Sequence, residues 1–160
     1  MDHGPLTTTR RTFLVRTSGA AAALALGGTV ASPAAATPES LAAAIKDVVG
    51  NAPLRTGKVT LDLPPLAENG NTVPMTVTVD SPMTEADHVK AIHVFNEKNP
   101  QPHVMSAVLG PRNGRAQVAV RIKLNDSQKI IAIAETSSGD FWMASADVIV
   151  TLAACLEEPT

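Results

Sequence analysis

The stretch AQVAVRIKL, residues 116–124, places an apolar side chain at every second position. Val118, Val120, Ile122 and Leu124 would lie on one face of an extended strand, opposite the polar side chains. Such alternation is typical of a strand that has one face in a hydrophobic core and the other in water. The sequence therefore predicts a strand here.

Similar short patterns recur on both sides of this stretch. They predict strands over residues 58–63, 73–80, 89–96, 103–109, 129–135, 140–145 and 147–153. The pairs Asn69-Gly70 and Asn113-Gly114 and the triplet at 138–140 lie between strands, and glycine tolerates the positive φ that tight hairpins require. Short strands with turns about every 8–12 residues are typical of an antiparallel β-sandwich. We therefore predict an all-β domain.

One amphipathic helix is predicted before the strands, over residues 38–49. Thr37 can cap its N-terminus, and Gly50 is a natural stop at its end. Its apolar face consists of Leu41, Ile45, Val48 and Val49. This face must pack on another surface, and covering its own domain is the simpler interpretation than binding a partner.

Composition and charge limit the classes of function. The chain has 160 residues, is 44% hydrophobic and has a net charge of −2. This charge argues against nucleic-acid binding. We find no apolar tract of 18 or more residues, so we expect no permanent membrane span.

The N-terminus has the pattern of an export signal. Arg10 and Arg11 are followed by Phe13 and Leu14, then by an Ala/Leu/Gly stretch and a small-residue cleavage site. This order predicts a twin-arginine signal over residues 1–36 and a periplasmic mature protein. The predicted folded domain then covers 37–152. The twin-arginine route carries folded cargo, so a partner folded onto the domain before export is one explanation for its use.

Metal binding is not favoured by the histidines. His88, His93 and His103 lie on or beside predicted strands, and the only cysteine, Cys155, is far away in sequence. Blue copper sites use two histidines, a cysteine and usually an axial methionine. These sites usually draw the cysteine, one histidine and the methionine from one short loop, whereas no His or Met follows Cys155. We expect structural or surface histidines and no cofactor.

Hydrolytic chemistry is not indicated either. The sequence contains no G-x-S-x-G or H-E-x-x-H motif. Glu85 and Asp87 form a pair of carboxylates, but their turn-like segment favours a solvated loop. Residues 152–155, LAAC, match a lipid-attachment box, but such a box works only at the end of an N-terminal signal. Here it follows the predicted strands, so we do not predict lipid attachment. We therefore predict no catalytic residues and a protein that is not an enzyme.

Cys155 is the remaining candidate for chemistry. A single cysteine cannot form an internal disulfide, and an exposed thiol in the periplasm is exposed to oxidation. The thiol is therefore buried, paired between chains or in use. The negative charges of Glu157 and Glu158 disfavour the thiolate form of Cys155. We therefore do not expect Cys155 to be a self-activated nucleophile. It suits a handle that other proteins load and unload; the alternative is an incidental cysteine.

Three long segments resemble the SoxY family, the sulfur-carrier subunits of the periplasmic thiosulfate-oxidising Sox system. They are GKVTLDLPPLAENGNTVPMTVTVDSPMTEADHVKAIHVFNEKNPQPHV, LGPRNGRAQVAVRIKL and IAIAETSSGDFWMASADVIVTLAAC. The resemblance implies an immunoglobulin-like β-sandwich that pairs with a second small β-sandwich subunit, SoxZ. It also implies sulfur intermediates bound covalently to Cys155, on which cytochrome, hydrolase and dehydrogenase partners act in turn.

The C-terminal arm, predicted over residues 153–160, differs from the usual family terminus. The family ends in Gly-Gly-Cys-Gly-Gly, whereas this chain has Ala-Ala-Cys-Leu-Glu at 153–157. Alanine restricts the backbone more than glycine does. Three interpretations remain open: a carrier with an altered arm, a specialised paralogue with one partner, and a scaffold that carries no cargo.

Overall fold

The computed structural model describes residues 37–154, so the predicted export signal, residues 1–36, and Cys155 lie outside the described residues. A helix, α1, precedes nine strands in this part of the chain, and a short 3-10 helix, Pro111–Asn113, follows the sixth. The bounds are α1 Pro38–Val49, β1 Leu54–Thr56, β2 Val59–Asp62, β3 Leu66–Ala67, β4 Val73–Val79, β5 Val89–Asn96, β6 His103–Val108, β7 Gln117–Ile122, β8 Gln128–Thr136 and β9 Phe141–Val150.

The strands form two sheets, which confirms the predicted β-sandwich. The larger sheet has the order β1-β9-β8-β5-β6, with β3 also paired to β9, and the smaller has the order β2-β4-β7. Pairing is antiparallel except that β1 and β3 both run parallel to β9. The two short parallel strands were not predicted, because segments of three and two residues show no periodicity.

The core lies between the two sheets and follows the predicted alternation. On β4, Val73, Met75, Val77 and Val79 are buried, while the residues between them are exposed or half-buried. From the larger sheet, the buried side chains facing this strand include Ile92, Val94, Ile130, Ala132 and Val148. Burial of one such valine or isoleucine stabilises the fold by about 1.5–3 kcal/mol.

Helix α1 covers the other face of the larger sheet, as expected for a helix that packs on its own domain. The Ser40 amide donates to Oγ1 of Thr37 at 3.2 Å, and the Gly50 amide donates to the Lys46 carbonyl at 2.7 Å. These bonds fix the helix ends where the sequence predicted them. Its apolar face packs on a second small core formed by Phe95, Ile133 and Phe141.

The two strands predicted over 140–145 and 147–153 are one strand, and their separation was wrong. β9 runs unbroken from Phe141 to Val150, because β8 pairs with it along its length, from Glu135 opposite Phe141 to Gln128 opposite Val148. The strand also ends three residues earlier than predicted. Beyond Val150 the chain bends, and its backbone groups pair with Ala67 at the end of β3 and with the loop residues Gly70 and Leu124.

The turn glycines divide into two kinds. Gly139 has φ 84° in the hairpin between β8 and β9, as the sequence predicted. Gly70 is absent from the positive-φ glycines, and the strands on either side of it, β3 and β4, belong to different sheets. The hairpin interpretation of Gly70 was therefore wrong. Its backbone is instead crowded by two other segments of the chain.

Candidate functional site

The segment after β9 stays bonded to the body of the domain up to the last described residue. The Thr151 amide donates to the Ala67 carbonyl at 3.1 Å, and the Gly70 amide donates to the Leu152 carbonyl at 2.7 Å. The Ala154 amide then donates to the Leu124 carbonyl at 2.9 Å. The chain is therefore held in place directly before Cys155.

Gly70 lies where three segments of the chain meet. In addition to its bond to Leu152, its carbonyl accepts a hydrogen bond of 2.8 Å from the Leu124 amide. A Cβ atom at this position would lie 2.2 Å from the Leu124 carbonyl oxygen and 2.8 Å from the Ala154 nitrogen. Both distances are far inside van der Waals contact, so glycine alone fits. We call the three hydrogen bonds among Gly70, Leu124, Leu152 and Ala154 the C-terminal latch.

The residues of the latch differ in how far their side chains are buried. Leu124 is fully buried in the core, and Ala154 is only 7% exposed. Leu152, between the strand end and Ala154, is 62% exposed. The latch therefore holds the backbone against the core while a large apolar side chain faces outward beside the start of the predicted arm.

A network of amide side chains fixes the loop that carries Leu124. Asn99 donates to the Lys123 carbonyl at 2.8 Å, and its Oδ1 accepts from the Asn125 amide at 3.2 Å and from Nε2 of Gln128 at 2.8 Å. Oε1 of Gln128 accepts from the Lys98 amide at 2.8 Å. Because Gln128 is almost completely buried, these bonds satisfy groups that would otherwise be costly to bury. The network places the Leu124 carbonyl where Ala154 binds it.

The histidines do not converge on the latch. Nδ1 of His93 and Nε2 of His103 both contact Oγ of Ser106, at 2.7 and 2.9 Å. Nε2 of His93 is buried without a hydrogen-bond partner among the described residues. Burial lowers the pKa of His93, the nearby His103 lowers it further, and Glu135 opposes these effects. Phe95 stacks on His103 at 4.9 Å between ring centroids.

The remaining candidates are surface features. Nδ1 of His88 contacts the Thr84 carbonyl at 3.1 Å, away from the other two histidines in the sheet. Glu85 and Asp87 are exposed in the loop before β5, as predicted. Within residues 37–154, no three His, Cys, Asp or Glu side chains lie close enough together to hold a metal ion. Cys155, the predicted attachment site, lies outside the described residues.

Sequence reasoning missed the latch. The Asn69-Gly70 pair was interpreted as a hairpin turn, and AQVAVRIKL was interpreted only as a strand. The latch joins backbone groups, which leave no pattern in the side chains. A glycine outside a helix or hairpin was the one available signal, since glycine also allows close approach between backbones.

Fold and site together define a β-sandwich that presents the start of a C-terminal segment at a fixed point. The sequence matches the profile of the family described as "Sulfur oxidation protein SoxY" over residues 45–155, more than half of the chain. The chain therefore belongs to the SoxY family and has a role in sulfur oxidation.

A solved structure of a sulfur carrier agrees with this assignment, and others share the fold. The sulfur carrier protein SoxY from Chlorobium limicola f thiosulfatophilum is 26% identical with a TM-score of 0.60, covering 71% of this chain and 98% of that protein. A superoxide reductase (neelaredoxin) from Ignicoccus hospitalis is 17% identical with a TM-score of 0.53, covering 59% of this chain and 80% of that one. The second similarity shows the fold alone.

The comparison with curated proteins found no match. Among the described residues, no helix is both long and apolar enough to cross a membrane.

Proposed function

We propose that this chain is a covalent carrier of sulfur intermediates, which it holds on the thiol of Cys155 during thiosulfate oxidation. The observation that carries the proposal is that the only cysteine of this SoxY-family chain comes at the end of the matched segment, directly after the folded domain. A thiol at that point is attached to a defined place on the domain.

The carrier acts as a substrate platform and not as a catalyst. Cargo is held through a bond between the cysteine sulfur and a sulfur atom of the intermediate. A disulfide-like bond of this kind is broken by attack of an external thiolate on one of its sulfur atoms. The partner enzymes supply the chemistry, and the proposal assigns no catalytic residue and no cofactor to this chain.

A second subunit of the SoxZ type is part of the proposal. Strand β6 forms one edge of the larger sheet, and Val108 near its end is 86% exposed. An open strand edge with an apolar side chain is a surface that a partner covers in a stable complex. The pair, exported through the twin-arginine route, then presents Cys155 in the periplasm to the Sox cytochrome, hydrolase and dehydrogenase components.

The alternative is a scaffold subunit that binds the partner but carries no cargo. Ala153 and Ala154 stand where the family usually has two glycines, and Ala154 is both buried and hydrogen-bonded. A segment held in this way has less freedom than a glycine arm. This observation favours either a scaffold or a paralogue with one dedicated partner.

Intact mass of the mature protein, isolated from cells oxidising thiosulfate, separates the two functions. The carrier should show added sulfur-containing mass that a thiol reductant removes, and Cys155→Ser should abolish it. Unmodified protein under conditions that load another SoxY would exclude the carrier function. An adduct that persists in Cys155→Ser would exclude this site.

Co-expression with a SoxZ-like subunit tests the pairing. The mature chain should elute with that subunit as a heterodimer in size-exclusion chromatography. The chain alone should self-associate through its exposed apolar surface. Elution of two separate monomers from the co-expressed mixture would contradict the pairing.

A further inference from the structure

Edge strand β6 contains a β-bulge that brings three polar side chains together on one face of the larger sheet. Ser106 lies opposite His93 and His103 lies opposite Phe95, so β6 takes three steps where β5 takes two. In a regular strand, side chains three residues apart point to opposite faces. The bulge instead places His103 beside Ser106, within hydrogen-bond distance. Bulges often redirect a side chain in this way next to a functional site.

The rings of His93 and His103 converge on one oxygen atom. Nδ1 of His93 lies 2.7 Å and Nε2 of His103 lies 2.9 Å from Oγ of Ser106, and the two ring centroids are 6.1 Å apart. The hydroxyl has a single proton, so it can donate to only one of these nitrogens, and the other ring must donate to it. Two imidazole nitrogens and a hydroxyl oxygen therefore lie around one point at the edge of the sheet.

We propose that His93, His103 and Ser106 form a binding site for a divalent transition-metal ion, and that copper(II) binds there most tightly. Imidazole nitrogens are ligands for zinc, copper and nickel, and copper(II) generally has the highest affinity of the divalent first-row ions for a given set of ligands. Nitrogen and oxygen ligands without a thiolate suit tetragonal copper(II). Water would complete the coordination, because no Cys, Asp or Glu side chain joins the two histidines in a group of three within residues 37–154.

The surroundings of the three side chains allow an ion to enter. Metal–imidazole distances are about 2.0–2.1 Å, so the side chains must turn toward the ion as it binds. His103 and Ser106 are exposed on an edge strand, where such a movement disturbs no core packing. Nε2 of His93 is buried without a partner among the described residues, so Nδ1 is the nitrogen that an ion from solvent can reach.

His88 offers a contrast within the same domain. Its Nδ1 contacts the Thr84 carbonyl at 3.1 Å, and this nitrogen carries the proton because a carbonyl can only accept. Only Nε2 is then left to bind a metal ion. A lone imidazole binds an ion more weakly than two imidazoles that share it, since the second bond of the shared ion forms within the same molecule. His88 therefore provides the matched control.

Copper titration of the mature chain tests the site. The chain should lack residues 1–36, because the predicted signal contains a fourth histidine, His3. All forms should carry Cys155→Ser and no histidine tag, since a thiolate is itself a copper ligand and would hide the site. Isothermal titration with copper(II) sulfate, in buffer that contains glycine as a weak competitor, measures the affinity. We expect one site per chain.

Removal of one imidazole at a time identifies the ligands. Loss of a residue that only orients a metal ligand typically lowers metal affinity about 10- to 100-fold, so loss of a ligand itself should lower it at least about tenfold. We expect this loss in His93→Asn and in His103→Asn, whereas His88→Asn should keep the parent affinity. If His93→Asn fails to fold, His103→Asn decides, because that side chain is exposed.

Electron paramagnetic resonance gives the independent readout. Copper(II) bound to the parent should show hyperfine coupling to two imidazole nitrogens, and copper(II) bound to His103→Asn should show coupling to one. Equal affinities in the parent and all the variants, or coupling to a single nitrogen in the parent, would overturn the proposal. The metal ion has no part in the proposed carrier chemistry, so either result leaves the test for a sulfur adduct on Cys155 unaffected.

Discussion

The amide of Ala154 bonds the carbonyl of Leu124 at 2.9 Å and thereby joins the last described residue to the strand segment that first indicated the fold. Leu124 is the final apolar position of AQVAVRIKL, and its side chain is fully buried. The same residue thus contributes its side chain to the core and its carbonyl to the latch. Substitutions that disturb this meeting point should affect stability as well as the bond that holds Ala154.

The first prediction concerns how the close backbone approach at Gly70 affects the stability of the domain. Gly70→Ala should lower the free energy of unfolding by about 1–3 kcal/mol, because the added Cβ forces backbone segments apart. Gly110→Ala should be neutral or stabilising by about 0.4–1 kcal/mol, since it only restricts the unfolded chain. Urea denaturation of both variants measures the difference. Equal denaturation midpoints for the two variants would show that the backbone around Gly70 is not tightly packed.

The second prediction concerns the amide network beneath the latch. Asn99→Ala removes the acceptor for Asn125 and Gln128 and the donor to Lys123, so stability should fall by about 1–3 kcal/mol. Asn51→Ala, in the exposed turn after α1, is the control and should change stability by less than about 0.5 kcal/mol. Hydrogen exchange at Ala154 should accelerate in the first variant only. A stability loss without that acceleration would separate the network from the latch.

The sandwich could be predicted from sequence because its long strands show clear periodicity. Each buried position of β4 matches the alternation of Val73, Met75, Val77 and Val79. β9 was divided in two because Ser145 and Ala146 give no strong strand signal, and only pairing with β8 makes them continuous. Strands β1 and β3 depend wholly on their pairing with β9.

The sequence singles out Cys155 as a candidate, and this stays a prediction, but it does not reveal the latch before it. Cys155 is conspicuous as the only thiol, whereas the latch before it depends on backbone atoms of residues distant in sequence. Gly70 was visible as a glycine in a loop, but a turn and a close backbone approach use the same residue type. Local patterns alone do not distinguish the two uses.

The third prediction concerns pH and His93. Burial and the neighbouring His103 lower its pKa in the folded protein below the ordinary value of 6.5. The unfolded chain therefore binds a proton more readily, so stability is lost as the pH falls from above 6.5 through the folded pKa. Unfolding measured in urea between about pH 8 and pH 5 should show this decline.

A matched pair of variants tests whether His93 causes this decline in stability. His93→Asn places a side-chain group that does not titrate near Ser106, so the decline should become shallower. His88→Asn, at the loop before β5, should retain the slope of the parent protein. Other groups face His93: His103, Glu135 and, paired with Glu135, Lys90. An unchanged slope in His93→Asn would show that His93 does not cause the decline in stability.

The fourth prediction concerns export. Replacement of both Arg10 and Arg11 by lysine should leave the precursor in the cytoplasm, because the proposed twin-arginine signal depends on this arginine pair. Cell fractionation and immunoblotting of precursor and mature forms make the measurement. Arg16→Lys, further along the same segment, is the control and should be exported normally. Normal periplasmic accumulation of the double variant would contradict the proposed route.

The fifth prediction concerns the arm itself. Ala153→Gly and Ala154→Gly together should favour release of the segment by about 0.5–1 kcal/mol per residue, because glycine gains more backbone freedom on detachment. The sum is about 1–2 kcal/mol, or roughly a tenfold larger released population. The amide of residue 154 is retained, so any change comes from backbone freedom and loss of the buried methyl group. Hydrogen exchange at the amide of residue 154 measures the release of this segment directly.

The full arm exchange adds replacement of residues 156–160 by Gly-Gly, which removes a bulky leucine and two carboxylates after Cys155. Anionic sulfur cargo would be repelled by those carboxylates at the entrance of a partner's site. We expect turnover by Sox partners from a SoxY with the glycine terminus to rise, and the double glycine variant alone to give part of the gain. Turnover of the double glycine variant should exceed that of Gly110→Ala, which leaves the arm unchanged. Equal or lower turnover after the full exchange would mean that the native arm is adapted to partners of its own.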